Sequence, residues 1–152
     1  MLVQMKIEGL LFDPRSSMYI LLLKDMRKDA MRTLPIWIGK PEADSIAIAI
    51  GRVATPRPLT HDLMKSLMDC FDASVARVVI TDIRENTYFA TIELYVNGRS
   101  MYIDSRPSDA VALAIRSNAP VFVSESVIEH QYNDDLEGWL QNLKPEDFGN
   151  VM

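Results

Sequence analysis

The alternation of hydrophobic and polar positions predicts a chain that is rich in strands. Apolar or alternating runs recur along the sequence, and clusters of turn residues separate them. Runs of this kind are typical of strands that are buried on both faces or on one face. Asn97-Gly98, between two β-rich runs, is a strong signal for a two-residue hairpin. Strands are predicted at Leu2–Phe12, Met18–Leu23, Leu34–Ile38, Val75–Ile83, Tyr88–Val96, Arg99–Ile103 and Val121–Val123.

Helices are predicted where a start signal precedes apolar residues at helical spacing. Pro41 suits a first helical turn, and Thr60 is a natural N-cap for the helix that follows it. One apolar stripe along that helix is either core or a partner surface, and its members are Leu63, Met64, Leu67, Met68 and Phe71. The predicted helices are Pro41–Val53, Asp62–Phe71 and Pro107–Arg116, with a candidate last helix at Leu136–Leu143.

Two segments of the chain are similar to each other. DSIAIAIGR, residues 44–52, aligns with DAVALAIR, residues 109–116, which is one residue shorter. Each segment follows a strand that ends in isoleucine, and a proline stands two or three residues before each aspartate. We interpret them as two related strand–elbow–helix units within one domain, with coincidence as the alternative. If the units are related, we expect the two elbows to lie close together.

Length, charge and cysteine content limit the class of protein. A chain of 152 residues is expected to form one domain. The net charge of -5 disfavours non-specific attraction to nucleic acid or membranes but allows a local basic patch. Cys70 is the only cysteine, so no intrachain disulfide can form, and its apolar neighbours predict that it is buried. Without a secretory signal or an apolar run of the roughly 20 residues that span a membrane, the expected compartment is the cytoplasm.

Polar residues suited to catalysis gather in two elbows and in the connector before the second helix. Carboxylates bind hard cations such as Mg²⁺, histidine transfers protons near neutral pH, and arginine holds phosphate through two parallel hydrogen bonds. Metal-assisted hydrolysis of a phosphodiester needs this set of groups. The candidates are Glu42 and Asp44 in the first elbow, Arg57, Thr60, His61 and Asp62 in the connector, and Asp104, Ser105, Arg106, Ser108 and Asp109 in the second elbow.

Each candidate also has a purely structural interpretation. Acids in a first helical turn stabilise the helix dipole by about 0.3–1 kcal/mol without any further role. Asp104 or Ser105 would serve equally well as a helix cap, and His61 as a structural hydrogen-bonding residue. The sequence contains no glycine-rich phosphate loop with lysine, no dinucleotide fingerprint and no cysteine–histidine zinc pattern.

Three motifs, in the order LPIWIGKPEA, PRPLTHDLM and YIDSRPSDAVALAIR, resemble the bifunctional nuclease domain family. The resemblance covers Leu2 to Glu129. It implies a single compact α+β domain with a mixed or antiparallel sheet and packed helices, activity on both DNA and RNA, and self-association with a dimer favoured. It divides the chain into a bifunctional-nuclease-like domain at residues 1–130 and a C-terminal helical tail at residues 131–152.

The resemblance and the candidate residues together suggest a catalytic mechanism. Asp104 and Asp109, with Glu42 joining from the first elbow, would hold a divalent cation, Mg²⁺ or Mn²⁺. His61 would act as a general base or orient the attacking water.

The remaining candidates would bind the substrate. Arg57 and Arg106 would hold phosphate, while Thr60 and Ser108 would supply hydrogen bonds. One alternative is a non-catalytic interaction module, in which the apolar stripes and Trp139 build a homo-oligomer interface. A third hypothesis is a sensor that binds an anion at the two elbow helix N-termini. A structure in which Arg57 and Arg106 converge on one cleft would favour phosphate binding. A structure in which they form separate buried ion pairs would favour the interaction module.

Overall fold

Seven strands and four helices follow one another in the computed structural model, which describes residues 1–29 and 32–131. All the predicted strands and the first three predicted helices are confirmed, with ends that differ by a few residues. The candidate helix Leu136–Leu143 and Trp139 lie outside the described residues. The strands are β1 (Leu2–Asp13), β2 (Met18–Asp25), β3 (Thr33–Ile38), β4 (Ala73–Arg84), β5 (Thr87–Val96), β6 (Arg99–Ser105) and β7 (Val121–Ser124). The helices are α1 (Lys40–Gly51), α2 (Thr60–Cys70), α3 (Pro107–Ser117) and α4 (Glu125–Gln131).

The strands form one mixed sheet in the order β3-β2-β1-β7-β4-β5-β6. Neighbouring strands are antiparallel except for β4 and β7, which run parallel. Asn97 and Gly98 join β5 to β6 with φ values of 51° and 77°, as a tight type I′ hairpin requires. A mixed sheet with helices packed against it makes this a single α+β domain, as the resemblance implied.

The sheet curls, so that strands from its two halves meet. Tyr88 on β5 donates its hydroxyl hydrogen to the carbonyl of Pro35 on β3 over 3.2 Å, although these strands are not neighbours in the sheet. Burial raises the pKa of Tyr88. α3 packs against β4 and β5 of the sheet and against α1 and α2, its alanines allow close approach, and it is buried along most of its length. No helix that the structure describes is long and apolar enough to cross a membrane.

The two similar segments of the sequence have the same local structure. The residues before α1 and α3, Gly39 and Arg106, both have extended backbones. The residues after these helices, Arg52 and Asn118, both have left-handed backbones with φ of 51°. In each case the C-cap N–H donates back to a carbonyl of the last helical turn. The helices pack against each other, so the two elbows lie side by side as expected.

α2 differs from its prediction in two ways. Thr60 is its first residue, and the N-cap is Leu59, because the Leu59 N–H bonds to the Asp62 carboxylate over 2.8 Å and fixes the start there. The predicted stripe is only partly core, because α2 contacts α3 and β4 through one narrow face. Met64 and Met68 pack against the core, while the members left exposed are Leu63, Leu67 and Phe71. The prediction that Cys70 is buried is wrong for the same reason, and this thiol is exposed.

Candidate functional site

A cavity of about 380 Å³ opens where α1, α2 and α3 begin. Each helix N-terminus carries a partial positive charge, so a cavity that borders three of them favours anionic groups. At the rim of the cavity, Lys40 forms an ion pair of 2.7 Å with Asp44 and neutralises the negative charge of this carboxylate. The polar lining comes from Glu42, Asp44 and Ser45 of α1, Thr60 and His61 of α2, Arg106, and Asp109 of α3.

His61 is buried in the wall of this cavity between two polar partners. Its Nε2 lies 2.8 Å from Oδ1 of Asp109, and its Nδ1 lies 2.7 Å from the Oγ of Ser45. An ionised carboxylate can only accept a hydrogen bond, so Nε2 carries the proton in the neutral ring. Nδ1 is then unprotonated and accepts the hydroxyl hydrogen of Ser45. The pair of contacts therefore sets both the tautomer and the orientation of the imidazole.

Arg106 holds the other side of Asp109. Its Nε donates to Oδ2 over 2.9 Å and its Nη2 to Oδ1 over 3.3 Å, while Nη1 reaches Oε1 of Glu42 over 3.2 Å. Burial raises the pKa of Asp109, but the hydrogen bonds from Arg106 and His61 outweigh it, and the pKa lies below its ordinary value. A continuous hydrogen-bonded chain thus runs from Glu42 through Arg106, Asp109 and His61 to Ser45.

Arg116 supports this chain from inside the protein. Its side chain is 8% exposed, and its Nε donates to Asp62 over 2.7 Å. Its Nη2 donates to the backbone carbonyl of Ser45 over 3.3 Å. The bond from Arg116, together with the Leu59 N–H, lowers the pKa of Asp62. One arginine of α3 therefore fixes the first turn of α2 and the turn of α1 that carries Ser45.

A second cavity of about 280 Å³ lies on the other side of Glu42 and Arg106, which line both cavities. It is bordered by the end of β3, the turn between β4 and β5, and the start of α3. Trp37 and Tyr88 give it an aromatic wall, and the buried Ser108 belongs to it. Arg106 is therefore accessible from two directions.

The structure brings together most of the candidates from the sequence. Six of them line the first cavity, and they are Glu42, Asp44, Thr60, His61, Arg106 and Asp109. Asp104 lies elsewhere: it pairs with Thr91 of β5, one position away from Ile92, which is buried in the core. Because side chains alternate along a strand, Asp104 is on the opposite face of the sheet. Arg57 is exposed in the connector and makes no ion pair with any residue the structure describes.

The residues around the cavity do not form a ready-made site for the expected divalent cation. Within residues 1–29 and 32–131, no three histidine, cysteine or acidic side chains lie close enough to hold a metal ion. Glu42 and Asp109 do face the same cavity, but Arg106 already bonds to both carboxylates. These residues fit poorly as a preformed cage for a resident cation, which needs several oxygen ligands.

Sequence reasoning missed Ser45 and Arg116. The sequence did contain one indication that Ser45 is unusual. In the alignment of the two similar segments, Ser45 is polar where the other segment has Ala110. Ala110 is fully buried in α3, so a hydroxyl at the matching position of α1 needs a polar partner. The partner, His61, lies in the connector region and could be identified only in the folded chain.

Comparison with known proteins gives a consistent result. The model of the bifunctional nuclease domain family matches residues 21–134. An uncharacterised protein of Mycobacterium tuberculosis is 37% identical over 125 residues, which cover 82% of this chain and 73% of that protein. Bifunctional nuclease 1 of Oryza sativa is 25% identical over 107 residues, which cover 68% of this chain and 31% of the rice protein.

Proposed function

The chain belongs to the bifunctional nuclease domain family, and from this premise we propose that it hydrolyses phosphodiester bonds of DNA and RNA. The proposed site is the cavity at the start of α1, α2 and α3. The observation that carries the proposal is the buried His61, which is held by Asp109 on the same cavity wall as an exposed arginine, Arg106. A proton acceptor beside a phosphate-binding group is the minimum that this hydrolysis requires.

Arg106 is the proposed phosphate ligand. Its side chain is 64% exposed while its guanidinium is anchored by Asp109 and Glu42, so it is both positioned and accessible. The N-termini of the three helices add partial positive charge at the same place. Arg57 is proposed to contact the nucleic acid outside the cavity, where its exposed position in the connector allows it.

His61 is the proposed general base. Its Nε2 is bound to Asp109, so it accepts a proton at Nδ1, where the Ser45 hydroxyl lies and can relay the proton from the attacking water, and the imidazolium that forms is stabilised by the carboxylate. Asp109 is a positioning residue in this scheme, because it touches His61 and Arg106. Glu42 positions Arg106 from the other elbow.

The divalent cation stays a prediction. The ligands within reach are Glu42 and Asp109, and since Arg106 occupies both, a cation would enter only with the substrate phosphate as a further ligand. Bound there, Mg²⁺ or Mn²⁺ would neutralise charge on the phosphate. The roles of His61 and Arg106 do not depend on it.

Cleavage of labelled single-stranded DNA and RNA tests the proposal. We expect cleavage by the wild type, and a loss of at least about 100-fold in His61→Ala, because general bases contribute about 10²–10⁴-fold. Asp109→Asn should lose activity as well, since the amide no longer accepts from both His61 and Arg106. Parallel reactions with Mg²⁺, Mn²⁺ or EDTA decide whether a cation takes part.

The matched control for these variants is Asp82→Asn. Asp82 also binds an arginine, Arg84, over 2.6 Å, but it does so on β4 and does not line the cavity. This variant should cleave at the wild-type rate. Cleavage that survives in folded His61→Ala and Asp109→Asn would mean that the cavity is not the site.

A second candidate function, self-association, has its own structural support. β6 is one of the two edge strands of the described sheet, and three successive large hydrophobic residues on it are exposed, namely Met101, Tyr102 and Ile103. The strand pairs with β5 in regular register and contains neither lysine nor proline, the residues that commonly block edge pairing. We propose that a second copy of the chain pairs along this edge. Antiparallel pairing centred on Tyr102 would place Met101 opposite Ile103 of the second copy, as a twofold interface requires.

A further inference from the structure

Ser45, His61 and Asp109 form a relay that the proposed hydrolysis does not by itself need. The hydroxyl of Ser45 lies 2.7 Å from one ring nitrogen of His61, and the carboxylate of Asp109 lies 2.8 Å from the other. A nucleophile within hydrogen-bond reach of a base that is oriented by a third group is the general arrangement for covalent catalysis. All three residues line the same cavity.

The direction of the hydrogen bonds favours activation of the serine. The carboxylate of Asp109 accepts two hydrogen bonds from Arg106, and it can only accept from Nε2 of His61 as well. The ring proton is thereby held on Nε2, and Nδ1 is left to accept from Ser45. Arg106 locks Asp109 through both carboxylate oxygens, so the relay is oriented before any substrate arrives.

The position of Ser45 in its helix is not what a purely structural serine adopts. A serine inside a helix usually points to solvent or bonds to the carbonyl four residues earlier. The Ser45 hydroxyl instead points to His61 across 16 positions of sequence and into a cavity. The matching residue of α3 is the buried Ala110, so the related helix has no hydroxyl at this position.

Resting on the proposed function, we propose that Ser45 is the nucleophile of this site and that phosphodiester hydrolysis proceeds through a phosphoserine intermediate. The Oγ of Ser45 attacks phosphorus and gives its proton to Nδ1 of His61. The bond from phosphorus to the leaving oxygen breaks, and that oxygen takes the proton from the imidazolium. Water then attacks phosphorus with Nδ1 of His61 as its base, the bond from phosphorus to Oγ breaks, and Oγ takes the proton from the imidazolium. This releases the nucleic-acid end with its phosphate group and restores the serine hydroxyl.

The first test is labelling by a fluorophosphonate, which reports on the nucleophile without any nucleic acid. In this reaction Oγ bonds to phosphorus, the bond from phosphorus to fluorine breaks, and fluoride leaves. We expect one adduct on the wild type, mapped by peptide mass spectrometry to Ser45. His61→Ala should label at least about 100-fold more slowly, in line with the loss of a general base.

Ser45→Ala should not be labelled and should lose nucleic-acid cleavage. Ser117→Ala is its matched control, because Ser117 is a part-buried helix serine whose hydroxyl bonds to no residue that the structure describes. It should label and cleave like the wild type. The wild-type peptide map needs no variant, so it decides the matter even if Ser45→Ala does not fold.

The outcomes separate this inference from the proposed nuclease. An adduct on any residue other than Ser45, or no adduct at all, overturns the inference. Wild-type cleavage by folded Ser45→Ala also overturns it and leaves the proposed nuclease standing. A wild type that is labelled at Ser45 but cleaves neither DNA nor RNA supports the nucleophile and removes the nuclease.

Discussion

Arg116 of α3 forms an ion pair of 2.7 Å with Asp62 of α2. Asp62 is the residue that follows His61 in the sequence. The arginine side chain is 8% exposed and that of the aspartate 36%, so the pair is partly shielded from water. Removing one partner of such a pair leaves the other charge poorly solvated, which costs more than the pair itself contributes. The interaction therefore matters for stability and for the placement of His61.

Arg116→Met is predicted to lower the free energy of unfolding by about 2–3 kcal/mol. The variant loses the bond to Asp62 and the bond to the carbonyl of Ser45, while the methionine keeps much of the packing. Urea denaturation measures the change. In the control, Arg84→Met, the ion pair with Asp82 is exposed and the expected loss is below about 1 kcal/mol. Equal losses in the two variants would show that Arg116 is an ordinary surface charge.

Gly39→Ala is predicted to reduce cleavage without reducing stability much. A Cβ at Gly39 would stand 2.6 Å from Oε2 of Glu42, the end of a flexible side chain that can move away. Glu42 would then leave Arg106, and the phosphate ligand would lose one of its two anchors.

Cleavage assays and thermal melts on the same samples check the Gly39 prediction. Gly51→Ala at the other end of α1 is the control, because its Cβ would meet only Val53, at 3.3 Å. That variant should keep wild-type cleavage. The prediction is wrong if Gly39→Ala cleaves at the wild-type rate while its melting temperature is unchanged.

Asp25 is predicted to make the free energy of unfolding decrease at acid pH. Hydrogen bonds from Arg27, opposed by burial and aided by Arg32, lower its pKa from 3.8 to about 2. Because the folded pKa is below the unfolded one, the contribution is complete above about pH 4 and is lost as the pH falls towards 2. Because the Arg27 side chain is exposed, solvent screens part of its attraction to Asp25, and we expect a contribution on the order of 1–2 kcal/mol at pH 7.

Asp25→Asn tests this by chemical denaturation between pH 2 and pH 7, the range that the pKa of about 2 sets. The variant should be less stable than the wild type at neutral pH, and the difference should shrink as the solution becomes acidic. Asp82→Asn serves again as the control: the hydrogen bond from Arg84 lowers the pKa of Asp82 too, but both side chains are exposed, so its effect should be smaller. A difference that stays constant across this range would assign the effect to packing and not to charge.

The sequence predicted the strands, the first three helices and the neighbouring elbows because these depend on local pattern. Period-two runs, Asn97-Gly98 and the prolines before α1 and α3 act over a few residues each. The exposure of one side of α2 was not predictable from the sequence. The spacing of its apolar residues is the same whether all of them or only some of them contact the core. Only the position of α2 against α3 and β4 decides that.

The difference between local pattern and three-dimensional packing also explains which site residues could be predicted from the sequence. Glu42, His61, Arg106 and Asp109 were selected by chemical type and proximity to the elbows, and they meet in one cavity. Asp104 shares that sequence neighbourhood but stands on the other sheet face, because the register of β6 against β5 decides the direction of each side chain. Ser45 requires the rotation of α1 relative to α2, which no local pattern contains.

The exposed edge of β6 gives the last prediction. Tyr102 is 67% exposed and lies at the centre of the proposed antiparallel pairing between two copies. A lysine there would set two like charges against each other across the twofold axis and would disfavour pairing. Tyr102→Lys should therefore shift the protein from dimer to monomer in size-exclusion chromatography with light scattering. Phe71→Lys, on the exposed side of α2, is the matched control and should stay dimeric. If only Phe71→Lys dissociates the dimer, the interface lies on α2, and a monomeric wild type would remove the interface altogether.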